Sequence, residues 1–165
     1  MGIEKKEIFS KIEDQLTDQG FIIVDKDIER PWGGFFVIQE AQAQEFADLY
    51  FDGIDVEELK IGGKLSPKIL VVAPQVRLSW QYHYRRAEIW QVLEGTVGVV
   101  RSDTDEEGEL QTFNPKDQIK LQKGERHRLI GLDDWGVVAE IWQHTQENFP
   151  SDEEDIVRVQ DDFGR

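Results

Sequence analysis

Gln81-Tyr82-His83-Tyr84-Arg85-Arg86-Ala87-Glu88-Ile89-Trp90, followed downstream by Lys123-Gly124-Glu125-Arg126-His127, is the part of the chain on which the fold turns. The chain holds three histidines, and two of them fall in this pattern. Imidazole and carboxylate are donors that a borderline divalent metal takes, and a glutamine carbonyl can add a fourth. Side chains alternate faces along a strand, so Gln81 and His83 point the same way. Glu88 then returns on the next strand, and His127 arrives from a distant one. Four donors can thus converge inside a small β-barrel.

The surrounding sequence has the texture such a barrel needs. From Lys68 onward the segments Lys68–Ala73, Arg77–His83, Glu88–Glu94, Thr96–Ser102, Leu110–Phe113, Gln118–Leu121, Arg126–Ile130 and Val137–His144 read as short strands, with turn signals between most of them. That spacing indicates an antiparallel sandwich or barrel. The run Asp103-Thr104-Asp105-Glu106-Glu107-Gly108 reads as a solvated hairpin tip, because its oxygen spacing does not fit an EF-hand calcium loop. Toward the N-terminus, Ile8, Phe9, Ile12 and Leu16 recur at helical spacing, predicting an amphipathic helix over 3–17 that stops at Gly20. Strands are expected at Phe21–Val24 and Gly34–Gln39, a second short helix over 41–51 ended by Asp52-Gly53, and a turn at Gly62-Gly63. Ser151-x-x-Glu154 reads as a capping box opening a short C-terminal helix.

Composition bounds the function. The 165 residues favour one domain, and the net charge of −15 argues against nucleic acid and anionic membranes, both of which reward a basic face. A pocket can still be locally positive for a small anion. No apolar run approaches the roughly 20 residues of a membrane helix. The N-terminus lacks the apolar stretch of a signal peptide, and there is no cysteine, which together fit a cytoplasmic protein.

The paired clusters resemble the motifs of the cupin superfamily. Within it, Gln81-x-His83-x-x-Arg86-x-Glu88-x-Trp90 resembles the type II phosphomannose isomerases (mannose-6-phosphate isomerases). Arg30-Pro31-Trp32-Gly33 matches the opening of that isomerase domain, and Glu154-Asp155-Ile156-Val157-Arg158 with Asp162-Phe163-Gly164-Arg165 resembles its ending. The chain departs from the family's pattern at Gln122 and Ile89, and residues 40–66 have no counterpart. Family members often carry an upstream sugar-nucleotide transferase domain, for which this chain has no room, so pyrophosphorylase activity is not expected. The resemblance implies an all-β fold: a cupin-type double-stranded β-helix (jelly roll) with an N-terminal helical extension and a short C-terminal helix. Residues 1–29 would form a helix and lead-in strand packed on the barrel, and 30–165 the cupin domain.

The resemblance further implies a metal-dependent aldose–ketose isomerase acting on a small sugar phosphate. Gln81, His83, Glu88 and His127 would hold one divalent ion, zinc first, with manganese, iron, cobalt or nickel able to take the same donors. The base is not named by the sequence. Glu140 is a candidate, because Val138, Glu140 and Trp142 share one strand face, provided that face is inward. Arg77, by parity with Gln81 and His83, should face the interior, and Lys68 and Ser79 are further expected substrate contacts. Arg158 and Arg165 match family positions, with the tail folding back over the cavity, and arginine suits phosphate because its planar fork binds two oxygens. Arg85 and Arg86 read as a turn with at least one of them solvated. Trp80, Tyr82 and Tyr84, of opposite parity, should pack under the N-terminal helix or in a homodimer interface. The competing readings are a non-catalytic cupin that binds a sugar or small acid, a metal oxygenase, and a scaffold protein.

Overall fold

The computed structural model describes residues 4–51, 65–144, 151–152 and 154–163. Helix α1 (Lys5–Asp18) buries Ile8, Phe9, Ile12 and Leu16, the residues whose spacing predicts it. Its end is fixed by Gly20 at φ +89°, where the chain turns back so that the Phe21 N–H reaches the Leu16 carbonyl. Strands β1 (Ile23–Arg30) and β2 (Gly33–Ile38) pair across the Pro31-Trp32 turn. Gly33 is required there: its φ is +140°, and a Cβ would lie 2.0 Å from the Val71 carbonyl oxygen. A short 3₁₀ turn leads into α2 (Ala43–Tyr50), which buries Ala43, Phe46 and Ala47.

The remaining described elements are strands: β3 (Lys68–Val72), β4 (Trp80–Tyr82), β5 (Arg86–Glu94), β6 (Val97–Ser102), β7 (Gln111–Phe113), β8 (Gln118–Leu121), β9 (Arg126–Gly131), β10 (Gly136–His144) and β11 (Val157–Gln160). They form two sheets, one in the order β1-β2-β3-β10-β5-β8 and one in the order β11-β4-β9-β6-β7, with antiparallel neighbours. Sequence-distant strands alternate as neighbours, which gives the cupin-type jelly roll expected from the sequence.

The larger sheet is covered on both faces. Ile69, Val71, Val137, Ala139 and Ile141 point outward against α1 and α2. Leu70, Val72, Trp90, Val92 and Val138 point inward, where Val97, Val99 and Leu129 of the smaller sheet meet them. The register aligns the inward residues in rows. Leu70, Val138 and Val92 form one apolar row; Lys68, Glu140 and Trp90 form the next; Trp142 and Glu88 form a third. The interior therefore changes from apolar to ionisable along the strands, and the polar end holds the site.

Several expectations are corrected. The C-terminal helix is replaced by strand β11, which pairs with β4, because Ser151 and Asp155 are drawn into tertiary hydrogen bonds instead of a cap. The strand expected over Arg77–His83 is a ladder only at Trp80–Tyr82, with Arg77 in an isolated bridge to Ile130. The strand expected at Phe21–Val24 starts later and runs to Arg30. Trp80 is buried beneath the 103–108 loop, donating its indole N–H to the Asp105 carbonyl, and not beneath α1. The Asp52-Gly53 stop and the Gly62-Gly63 turn lie outside the described residues. Among the described residues, no helix is long and apolar enough to cross a membrane.

The helical cover rests on Phe9, whose ring lies 5.7 Å from Phe36 and 6.2 Å edge-on to Trp135. Replacing it by alanine is expected to cost about 3–5 kcal/mol. Chemical denaturation of Phe9→Ala measures that loss, and the distant polar end of the interior should keep its ligand-binding properties.

Candidate metal centre

Residues from separate elements build the cluster. Gln81 lies on β4 and His127 directly opposite it on β9. His83 follows β4 at the turn into β5, and Glu88 rises from β5 in the other sheet. His83, Glu88 and His127 are each 2% exposed. Their nearest donor atoms all lie within 4.8 Å of one another. Glu88 Oε1 is 3.1 Å from His127 Nε2 and 3.7 Å from His83 Nε2.

The outer nitrogen of each imidazole decides its tautomer. His83 Nδ1 lies 2.7 Å from the Asp155 carbonyl oxygen, and His127 Nδ1 lies 3.1 Å from that of Glu125. A carbonyl only accepts, so both Nδ1 atoms carry the proton and donate it. In the neutral rings both Nε2 atoms then present bare lone pairs to a carboxylate oxygen. Glu88 Oε1 and His127 Nε2 are buried with no hydrogen-bond partner. Lone pairs facing one another in a dry interior are unfavourable unless a cation sits between them. Backbone carbonyls that orient the far nitrogen are the usual support of metal-binding histidines. The donor set and its orphaned atoms fit a divalent ion.

Arg86 was read from sequence as part of a turn with at least one solvated arginine; it is the other member of this cluster. It is buried, its Nε donates to Glu88 Oε2 at 3.1 Å, and a terminal nitrogen donates to His83 Nε2 at 3.3 Å. Its guanidinium stacks on Trp142, 3.6 Å from the ring centroid. The signal was present: Arg86, Glu88 and Trp90 share strand parity. Burial pushes the Glu88 carboxyl up, but the Arg86 guanidinium beside it outweighs this and holds it well below the usual carboxylate range. Burial also lowers His83, which keeps its ring neutral and ready to ligate.

The cluster opens into a cavity of about 100 Å³. Glu140 lines it from β10, so the face in question is inward. Its two oxygens accept from the indole N–H groups of Trp90 at 2.8 Å and Trp142 at 3.0 Å. Burial, reinforced by the negative charge of Glu88, pushes its carboxyl up to about 7. Lys68 lines the same cavity, its ammonium 4.8 Å from both the Phe35 and Trp142 rings. Ser79 is also in the wall, donating its hydroxyl to Gln81 Oε1. Arg158, on β11, lines the cavity opposite Gln81.

Arg77 is not part of the cavity. With its side chain 43% exposed, it grips Asp162 through two nitrogens at 2.6 and 2.9 Å. No continuous ladder holds residues 73–79, so the alternation that would turn Arg77 inward does not extend to it. Arg165 lies outside the described residues. Sequence reasoning missed Arg128, which is buried and also lines the cavity. It is held by the Leu78 carbonyl, Glu107 and Gln160. Strand parity assigns it the face opposite His127, and nothing local announces that this face is covered.

Two measurements follow from this geometry. Elemental analysis of the purified protein is expected to find about one divalent ion per chain, lost in the His83→Ala, His127→Ala double variant. In metal-free protein, the fluorescence of Trp90 and Trp142 is expected to titrate with a midpoint of about 7 as Glu140 ionises, and Glu140→Gln should abolish the transition. The folded carboxyl lies above its ordinary value of 4.5, so the folded state holds the proton more tightly. The contribution of this group to stability is therefore full below its ordinary value and is lost as pH rises through about 7.

Comparison with known proteins places the chain. It is 32% identical over 140 residues to the xanthan biosynthesis protein XanB of Xanthomonas campestris pv. campestris, covering 85% of this chain and 24% of that protein. It is 30% identical over 125 residues to the alginate biosynthesis protein AlgA of Pseudomonas aeruginosa, covering 76% and 24%. To the mannose-1-phosphate guanylyltransferase of Salmonella montevideo it is 26% identical over 160 residues, covering 97% and 27%. The chain thus spans about a quarter of the length of the curated relatives it matches. Among solved structures, oxalate decarboxylase from Bacillus subtilis aligns with a TM-score of 0.57 at 12% identity, covering 81% of this chain and 29% of that chain. The capsular polysaccharide assembling protein CapF from Staphylococcus aureus gives 0.55 at 11%, covering 85% and 34%. At these identities the likeness is one of fold. Residues 43–161, most of the chain, match the family model described as mannose-6-phosphate isomerase C-terminal, and the chain belongs to that family.

Proposed function

We propose that this chain is a metal-dependent sugar-phosphate aldose–ketose isomerase of the mannose-6-phosphate type. The observation that carries the reading is the opposed pair of buried carboxylates at one cavity. Glu88 joins His83 and His127 in a buried donor set and is held ionised by Arg86, while Glu140 faces the same cavity from the neighbouring strand and is pushed up by burial. Two carboxyl groups whose environments drive their protonation apart are the usual mark of divided roles. Family membership supports the same reaction class.

Aldose–ketose isomerisation moves a proton between neighbouring carbons. His83, Glu88, His127 and the Gln81 carbonyl would hold a divalent ion, which when bound would supply Lewis-acid polarisation of the sugar carbonyl and its neighbouring hydroxyl. Glu140, on the inward face of β10 at the cavity wall, takes the proton from one carbon and returns it to the next. Trp90 and Trp142 fix its orientation through their indole N–H groups. Lys68 and Arg158 place positive charge at the wall, where the sugar's phosphate would lie. Ser79 sets the direction of the Gln81 carbonyl. The cavity offers cations to a small anion while the chain as a whole carries a charge of −15.

The test is conversion of mannose 6-phosphate to fructose 6-phosphate by the metal-loaded protein. Glu140→Gln is expected to lower kcat by about 10²–10⁴-fold with little change in KM, and Arg158→Ala to raise KM. Thermal stabilisation by the sugar phosphate without product would identify a sugar-binding cupin instead. A metal-loaded protein with no turnover on several hexose and heptose phosphates ends the isomerase reading.

A further inference from the structure

We infer that Asp155 is a positioning residue of the metal centre, gripping the turn that carries His83 and thereby locking the C-terminal strap, residues 151–152 and 154–156, onto the site. The inference rests on the cluster being a metal site, and it adds a residue that touches neither ion nor substrate.

Asp155 acts through two parts of itself. Its carbonyl oxygen accepts from His83 Nδ1 at 2.7 Å, which leaves His83 Nε2 bare and aimed at the cluster. Its carboxylate accepts the backbone N–H groups of Tyr84 at 2.9 Å and Arg85 at 3.0 Å. Ser151 donates its hydroxyl to the same carboxylate, and the Arg86 guanidinium in turn donates to the Ser151 hydroxyl. Asp155 itself is 5% exposed. A buried carboxylate with charge-assisted bonds to two consecutive amides is a strong local clamp. Without it, the strap loses its hold on the turn, and the carbonyl that sets the His83 tautomer is no longer fixed.

The placement links metal binding to cavity assembly. The strap continues directly into β11, which brings Arg158 to the cavity wall. A cation that favours the His83 orientation therefore also favours the docked strap, because both need the same Asp155 contacts. The two equilibria are linked, so each stabilises the other.

The test uses the full chain, with zinc ion as the probe. With three histidines in the chain, nitrogen NMR can resolve the ring of His83. At a pH well above the histidine range, the metal-free wild type should show the Nδ1–H tautomer. Asp155→Ala should show a tautomer mixture at His83 and bind zinc about 10–100-fold more weakly. Asp155→Asn, which keeps one oxygen acceptor, should fall between, and it decides the matter if Asp155→Ala does not fold. Asp162→Asn, which weakens the exposed Arg77 pair and the Gln160 contact but touches no residue of the turn or strap, should leave both readouts at wild-type values. An unchanged His83 tautomer with zinc affinity within about twofold of wild type in the folded Asp155 variants would overturn the inference. If the wild type binds neither zinc nor another divalent ion, the metal-centre reading fails and this inference with it, whereas zinc binding by the wild type with unchanged Asp155 variants overturns the inference alone.

Discussion

The site depends on one unfavourable contact, a carboxylate oxygen of Glu88 facing the unprotonated nitrogens of two buried imidazoles. Neither ring can relieve it by changing tautomer, because each Nδ1 is committed to a backbone carbonyl. Arg86 offsets part of the negative charge from the other carboxylate oxygen. The remainder is a demand for positive charge at a defined point. Many of the surrounding choices serve to keep those three side chains from turning away: the Gln81–His127 register, the clamp at the turn after β4, and the indole stack on Arg86.

The fold creates this point by letting the hydrophobic alternation run out. Along β3, β10 and β5 the inward positions are apolar at one end and become Lys68, Glu140, Trp142 and Glu88 at the other. The outward positions Ile69, Val71, Val137, Ala139, Ile141 and Ile89 are apolar and pack against the helical cover, with Gln91 the buried polar exception. The polar residues can thus be accommodated without loosening the sheet that carries them. Their opposite effects on the two carboxyl groups follow from distance to cations. Glu88 touches a guanidinium, whereas the nearest partners of Glu140 are neutral indoles.

The strands and the convergence of His83, Glu88 and His127 were legible in the sequence because both rest on local periodicity. Parity placed Gln81 and Glu140 at the cavity, where a continuous ladder maintained it. It failed for Arg77, where the chain leaves the ladder and alternation has no backbone to enforce it. It was overlooked for Arg86, since two adjacent arginines after an aromatic run look like a solvated turn. The capping-box reading of Ser151 and Glu154 was locally sound and lost to tertiary context: the Asp155 carboxylate and Arg86 take the Ser151 hydroxyl. Arg128 carried no local signal, because its burial comes from β11 and the 103–108 loop folding over it.

The clustered donors come from both layers of the sandwich: Glu88 belongs to the larger sheet, His127 to the smaller, and His83 to the corner between them. An ion at this point would rivet the two layers together, and its binding free energy would add to the resistance of the whole domain to melting. Chelating buffers would then do more than silence chemistry. They would leave a looser protein whose layers part more readily, and its shelf life would depend on what else is dissolved beside it.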